Sequence, residues 1–364
     1  MHFSEPTSIL HVEDHFDAFL PPPVKEPPVR FRKRLSTAAL KAMRAAGGFT
    51  IAADSGRRRN SLLILCYHGI SLADEHRWLP SLYITPQQFR ERLRLLYRSG
   101  ASVLPLDEAL ARLRLGSLPP RSVALTFDDG FVDYRQHAVP TLREFNFPCT
   151  LYLTTHYCDY RLPIINLALD YVLWKSRKST ASFPKFGIPD RLPLISFDER
   201  QVIVRRLLKY AEECKMDTVG KDELARELAD DLGVDYEAIL NQRLLQLMTP
   251  EEVTETAKAG IDVQLHTHRH RVPRDRALFR REIEDNRRRI IDLTGKTPVH
   301  FCYPSGEYYP EFFGWLEQSG VQSATTCDMA LAHRDSASMQ MPRMLDDSGM
   351  DLLRFESVVA GLFV

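Results

Sequence analysis

Short apolar runs separated by stretches of helical periodicity set the fold class of this chain. Residues 61–67 read Ser-Leu-Leu-Ile-Leu-Cys-Tyr, the kind of continuous apolar run that a strand buried on both faces requires. The signal returns, more briefly, at residues 103–104, 123–127, 149–154, 261–265, 300–303 and 321–326. Between these runs, residues 86–97, 106–115, 139–145, 279–293 and 311–319 carry apolar side chains at helical spacing. Thr85-Pro86 gives the first of these helices an N-cap and a first-turn proline. Such alternation predicts parallel β/α units, whose chemistry gathers where the strands end. A closing helix is expected around residues 351–362.

The alternation breaks between residues 156 and 248. There 167–174, 197–214, 221–232 and 236–247 all read as helices, with Asp217 supplying a cap. This predicts a helical insertion at the domain rim, acting as a lid or in substrate recognition. The expected organisation is an N-terminal arm over residues 1–60, a first part of the core domain over 61–155, the insertion over 156–248 and a second part over 249–364. Pro21-Pro22-Pro23 and Pro27-Pro28 mark the arm as extended linker, partly disordered. From Arg30 to Arg59 there are nine basic residues against one acidic one, Asp54. A short helix with a basic face over 35–46 can rest on an anionic membrane or on the domain itself.

Lysine plus arginine equals aspartate plus glutamate at 48 each, so net charge gives no case for a nucleic-acid partner. The six cysteines form no C-x-x-C pair and several lie inside apolar runs, which reads as buried free thiols. No apolar run is long enough to cross a bilayer, and the first residues are polar, unlike a signal peptide. A bacterial, cytoplasmic protein is expected, peripheral to the inner membrane if the basic arm touches lipid.

Two polar segments follow directly on apolar runs. Thr126-Phe127-Asp128-Asp129-Gly130 puts adjacent carboxylates at the end of one, and His266-Thr267-His268-Arg269-His270 puts three imidazoles after another. Alone, the first is a common solvated turn and the second an exposed basic loop. Together they offer one carboxylate and two histidines for a divalent metal, with a second carboxylate left over as a base. Three protein ligands and an open position are what zinc hydrolases use to activate water. The reading is a metal-dependent hydrolase, with an amide as target. Neighbouring residues of an extended segment point in opposite directions, so the two aspartates serve different ends unless the strand end turns, which Gly130 permits.

These segments resemble the first two motifs of the polysaccharide deacetylases, the NodB-homology or carbohydrate esterase 4 family. Phe301-Cys302-Tyr303-Pro304-Ser305-Gly306 is similar to the third motif, and Leu65-Cys66-Tyr67-His68-Gly69 to the opening tyrosine-histidine strand of a bacterial subgroup. The resemblance covers residues 61 to about 155 and 248 to 360. It implies a distorted (β/α)7-type barrel and removal of acetyl groups from N-acetylated amino sugars: a glycan precursor, an oligosaccharide or a lipid-linked sugar. It further implies Asp129, His266 and His270 as ligands of zinc, or of cobalt or nickel, Asp128 as general base, and Tyr303, Pro304 and Gly306 around the substrate. Tyr303 is expected to line the pocket and to lend a backbone oxyanion donor. In an extended segment His268 would share a face with His266 and His270, but the family pattern uses only the first and last.

The chain departs from the pattern twice. Where many members carry an arginine that orients the catalytic aspartate, this chain has Cys302. The family's late leucine-x-histidine motif, whose histidine is the general acid, has no match after residue 345, so that role falls to His68. Two other readings stay open: an amidase acting on a non-sugar cyclic amide, and a degenerate glycan-binding pseudo-enzyme.

Overall fold

The computed structural model describes residues 36–362. Eight parallel strands make one sheet: β1 (Leu63–Tyr67), β2 (Ser102–Val103), β3 (Ser122–Asp129), β4 (Thr150–Leu153), β5 (Asp262–Leu265), β6 (His300–Cys302), β7 (Ser323–Thr325) and β8 (Met344–Leu345). Their order is β7-β6-β5-β4-β3-β1-β8, with β2 paired to the start of β3. Every residue of β1 and β3 is buried, which is why both are apolar without alternation. The sheet curls until its edges approach: Thr325 bridges Met341, just ahead of β8, and the Thr326 N–H donates to the Met341 carbonyl at 2.9 Å. The result is the distorted, seven-strand barrel type that the sequence predicts, with β2 as an addition.

Local chemistry accounts for the helix ends. Thr85 and Gln88 form a reciprocal capping box at the start of Pro86–Arg98. Leu106–Leu115 stops at Gly116, whose φ of 69° is left-handed. Asp217 caps Thr218–Leu232 by accepting from the Gly220 N–H at 2.8 Å.

Residues 156–248 contain the helices Ile165–Lys175, Phe197–Glu213, Thr218–Leu232 and Tyr236–Asn241, and also an antiparallel hairpin, Thr180–Phe183 with Ile188–Pro193. The sequence reading missed the hairpin, because these strands are short, half-exposed and interrupted by prolines. It also ran the last helix on to residue 247. The helix ends at Asn241 because Arg243 and Leu245 turn left-handed. The buried segment that follows returns to the barrel: Leu247 bridges Phe131, the Val132 N–H donates to the Gln246 carbonyl, and the Met248 N–H donates to the Gly130 carbonyl. The exit of the insertion is thus fastened to the turn that follows the two aspartates.

The proline-rich part of the expected arm lies outside the described residues. Residues 36–60 differ from a partly disordered linker: they form the short helices Thr37–Ala45, Gly48–Ala53 and Gly56–Arg59. Leu40, Phe49 and Ala53 are buried in one cluster with Ala360, beside the closing helix Leu352–Val359. The physical reason is that these apolar side chains find a partner surface on the domain itself. Arg58 secures the join. Its buried guanidinium donates to the carbonyls of Val359 (3.0 Å), Ser61 (3.1 Å) and Ser122 (3.0 Å), and burial lowers its pKa to about 10, with Arg121 adding to the effect. Arg58→Ala leaves three carbonyls without their donor and opens a cavity, so we expect a loss of about 3–5 kcal/mol in a urea melt. A loss within about 0.5 kcal/mol, typical of a surface change, would mean that this join contributes little.

Among the described residues no cysteine is in a disulfide; Cys66, Cys149, Cys158 and Cys302 are buried, whereas Cys214 is exposed and Cys327 half-buried. No described helix is long and apolar enough to cross a membrane.

Candidate active site

The two aspartates end β3, and their carboxylates serve different neighbours. Asp129 has a φ of 69° and Gly130 one of 95°, so the strand does turn at its end. A side chain at 130 would put its Cβ 2.3 Å from Leu153 Cδ1, so glycine is required both for space and for backbone angle. Asp128 lies toward Cys66, Cys302 and Arg343, while Asp129 meets His266 and His270.

The histidine segment follows β5 and is not extended: Thr267 (φ 61°) and His270 (φ 55°) are left-handed. The shared-face argument for three histidines therefore fails. His266 and His270 bring Nε2 to 3.3 and 3.1 Å from Asp129 Oδ1, whereas His268 turns to Thr155, with 2.8 Å between its Nδ1 and the hydroxyl. Buried groups on the helix Arg276–Thr294 hold the loop. Asn286 accepts from the His266 N–H at 3.0 Å and donates to the Leu153 carbonyl at 3.0 Å; Glu282 accepts from the Arg269 N–H at 2.8 Å and from Arg271 Nε at 2.7 Å. Neither was singled out from sequence, since both sit on an otherwise charged helix with no local mark.

The donor set fits a divalent cation. His266 Nδ1 lies 2.9 Å from the Cys302 carbonyl, which only accepts, so Nδ1 carries a proton and Nε2 is the atom left to face Asp129 and a cation. Asp129 Oδ1 is buried without a hydrogen-bond donor. Ligand atoms in a tetrahedral zinc shell stand about 3.3 Å apart, close to the separations found here. Burial alone would push the Asp129 carboxyl up, but the facing histidines hold it well below the usual carboxylate range. Burial lowers the pKa of His270, with Asp129 opposing, which favours the neutral imidazole that a metal needs.

Asp128 is gripped by Arg343, a residue that the sequence reading did not single out. Arg343 Nη1 and Nη2 each donate to one Asp128 oxygen at 2.7 Å, in a fully buried bidentate pair. Nη2 is also 3.0 Å from Cys302 Sγ, and Nε donates to the Thr326 carbonyl at 3.1 Å. The small thiol at 302 leaves room for a guanidinium arriving from just ahead of β8. Burial would raise the Asp128 pKa, yet Arg343 outweighs it and keeps the carboxylate ionised. The one available signal was a lone arginine in the apolar stretch Met341-Pro342-Arg343-Met344-Leu345.

His68 follows β1 with Nε2 3.7 Å from Asp128 Oδ2, beyond a hydrogen bond, and its Nδ1 is buried without a hydrogen-bond partner. The third motif is corrected in part. Tyr303 is fully buried, its hydroxyl donates to the Met339 carbonyl at 3.1 Å, and its N–H donates to the Thr325 carbonyl at 3.2 Å. It therefore neither lines an open pocket nor has an N–H to offer an oxyanion. Pro304 is buried, and Gly306, at φ 67°, could not carry a Cβ without meeting Cys327 Cβ at 2.9 Å. Both build the turn after β6.

A family model described as polysaccharide deacetylase matches residues 116–186 and 208–324, just over half of the chain. A poly-beta-1,6-N-acetyl-D-glucosamine N-deacetylase of Staphylococcus epidermidis is 29% identical over 109 residues, covering 27% of this chain and 38% of its own length. The chain thus spans well under half of that curated relative. Among solved structures, deacetylase PplD of Streptococcus pyogenes, in complex with acetate, aligns with a TM-score of 0.55 at 16% identity, over 83% of this chain and 98% of its own. IcaB of Ammonifex degensii aligns with a TM-score of 0.51 at 16% identity, over 84% of this chain and 97% of its own. At these identities the structural likeness speaks for the fold.

Proposed function

Because the chain belongs to the polysaccharide deacetylase family, we propose that it is a metal-dependent hydrolase that removes acetyl groups from N-acetylated amino sugars. The observation that carries this reading is the Asp129–His266–His270 cluster beside an Asp128 held ionised by Arg343. Asp129, His266 and His270 would hold the cation, zinc by the chemistry of two imidazoles and a carboxylate, with cobalt or nickel as substitutes. When bound, the cation polarises the acetamide carbonyl and makes water more acidic.

The chain's own residues supply the proton transfers. Asp128, ionised and with unused lone pairs on both oxygens, takes a proton from the attacking water. His68, at the partly open edge of the site, gives a proton to the departing amine. Acetate and a free amino sugar leave. The motive for the pseudo-enzyme reading weakens, because Arg343 stands where the missing arginine would act. The name of the staphylococcal relative supports β-linked N-acetylglucosamine chains as the substrate class.

Zinc-loaded protein should release acetate from β-1,6-linked N-acetylglucosamine oligosaccharides. Release of product only from cyclic imides would favour the amidase alternative, and no product from either would overturn the hydrolase reading. His68→Ala should lower turnover by about 10²–10³-fold with metal content unchanged. Unchanged turnover would remove His68 from the mechanism.

A further inference from the structure

His68 stands at the head of a strap, residues 69–84, that leaves the barrel and folds back on itself. Its ends are the short parallel strands Gly69–Ile70 and Tyr83–Ile84, where the Gly69 N–H donates to the Leu82 carbonyl at 3.1 Å and the Ser71 N–H to the Ile84 carbonyl at 2.9 Å. Between them a buried Glu75 accepts from the N–H groups of Leu72 (3.2 Å) and Ala73 (2.7 Å), at the start of the helix Glu75–Trp78. We propose that the insertion, gripping this strap through Asp170, sets the position from which His68 protonates the departing amine, with Trp78 and Asp170 as positioning residues. The proposal rests on the reading of His68 as general acid and adds to it a role for the helix Ile165–Lys175 in the chemical step.

Asp170 is the joint. Its buried carboxylate accepts from Trp78 Nε1 on the strap at 2.9 Å, and from Arg200 Nε on the helix Phe197–Glu213 at 2.7 Å. One side chain thus ties the strap to two helices of the insertion. Tyr171, next along, packs its ring against Trp78 at 5.3 Å between centroids, and its hydroxyl donates to Asp74. Lys175, one turn further on, pairs with the same Asp74 at 2.6 Å. A buried ion pair gains little stability over apolar packing; its better attested use is to select one arrangement among several.

The grip reaches His68 by contact. Trp78 lies against Tyr83 at 6.3 Å between ring centroids, and the Tyr83 ring covers Gly69 so closely that a Cβ there would fall 2.2 Å from Tyr83 Cε1. Gly69 is the neighbour of His68 in the chain, so a shift of Tyr83 moves the backbone from which the imidazole hangs. On its other side the strap is fixed to the turn after the two aspartates: Asp133, buried there, accepts from the Ile70 N–H at 3.0 Å. Leu247 and Gln246, at the exit of the insertion, hold that same turn through Phe131 and Val132. The separation of His68 Nε2 from Asp128 Oδ2, 3.7 Å, is therefore framed from both sides by the insertion. Misplacing a reacting group by about 1 Å can cost about 10²-fold in rate.

The test compares two substrates of the zinc-loaded, full-length chain. One is a β-1,6-linked N-acetylglucosamine oligosaccharide, whose amine must be protonated as it leaves; the other is para-nitrophenyl acetate, whose phenolate leaves without a proton. Trp78→Phe keeps a ring and removes the N–H. It should lower kcat on the sugar amide about tenfold, with KM and metal content unchanged, and lower turnover of the ester much less. Asp170→Asn should act in the same direction. In a His68→Ala background Trp78→Phe should cost nothing further on the amide, because a residue that acts through His68 then has nothing to position. Equal losses on amide and ester, a full further loss in the His68→Ala background, or unchanged amide turnover in both single variants would overturn the positioning role. His68→Ala separates this from the reading beneath it. An amide-selective loss there, with none in Trp78→Phe, sinks the positioning alone. No loss on the amide in His68→Ala, or no amide turnover by the wild type, sinks the reading and the positioning together.

Discussion

Replacing Asp129 and His266 together with alanine should take the metal content of the purified protein from about one divalent ion per chain to none, and turnover with it. Zinc affinity at such a site comes from three lone-pair donors already held together, and two of them vanish in this variant. What remains at His270 is a single imidazole, which binds zinc far too weakly to survive dialysis. The variant should nevertheless fold. The backbone of the histidine loop is held by Asn286 and Glu282 rather than by these two side chains. Alanine at 129 and 266 gives up the carboxylate–imidazole contacts and the His266 hydrogen bond to Cys302, and leaves those backbone anchors in place. Added zinc should therefore raise the melting temperature of the wild type and leave that of the variant unmoved, since a ligand at 100 times its Kd stabilises by about 2.7 kcal/mol. Among the described residues, two other side-chain groups at this end of the barrel have metal-ligating chemistry: Cys66 with His68 and Asp128, and Asp128 with His266 and Cys302. Both contain Asp128, already committed to Arg343, and thiols that burial pushes well above their usual pKa. Full metal occupancy in the double variant would move the site to the Cys66 group and remove the reading given to Asp129.

The parts of the site that were legible in the sequence are those written locally. A buried strand declares itself by unbroken apolar residues, so β1, β3 and the aspartates at the end of β3 could be read directly. Asp-Asp-Gly also announced a turn, and Asp129 makes it. The histidine loop was legible in composition but not in direction, because Thr267 and His270 leave the extended conformation and send His268 to Thr155 instead. Tyr303 illustrates another limit. An aromatic residue beside a motif looks like a pocket wall, yet whether its ring faces ligand or core depends on β7 and on Met339, which lie elsewhere in the chain. Arg343 is the extreme case. Its partner Asp128 is 215 residues away, and no spacing or periodicity joins the two. Only the near-closure of the sheet, which brings the segment ahead of β8 against β7 and β1, makes them neighbours.

Arg343→Met should damage stability and activity together. It removes the guanidinium that pairs with Asp128 through close bidentate bonds and leaves a buried carboxylate without its main partner, which costs about 3–5 kcal/mol. The pH dependence follows from the direction of the shift. In the wild type Arg343 holds the Asp128 pKa below its unfolded value of about 3.9, so the pair contributes stability above that pH and loses it as pH falls through the lower, folded value. Without Arg343, burial is opposed only by the weaker pull of His266 and His68, and we expect it to raise the carboxyl above its unfolded value. The variant's deficit is then small in acid, where Asp128 is protonated in both states, and widens as pH rises above about 4. The same protonation disables the base. Turnover at neutral pH should fall about 10²–10³-fold, and the acid limb of its pH profile should move upward, so that part of the loss is recovered in alkali. Arg343→Lys keeps the charge but gives up the two-point grip, and should fall between the two. Combining Arg343→Met with Asp128→Asn separates the two contributions, because it removes both charges at once. Stability should largely return while activity stays lost, the mark of a pair whose members are costly only when parted. A single Arg343→Met variant that melts with the wild type and keeps its pH profile would show that Asp128 is held ionised by something other than this guanidinium, and the role given to Arg343 would be withdrawn.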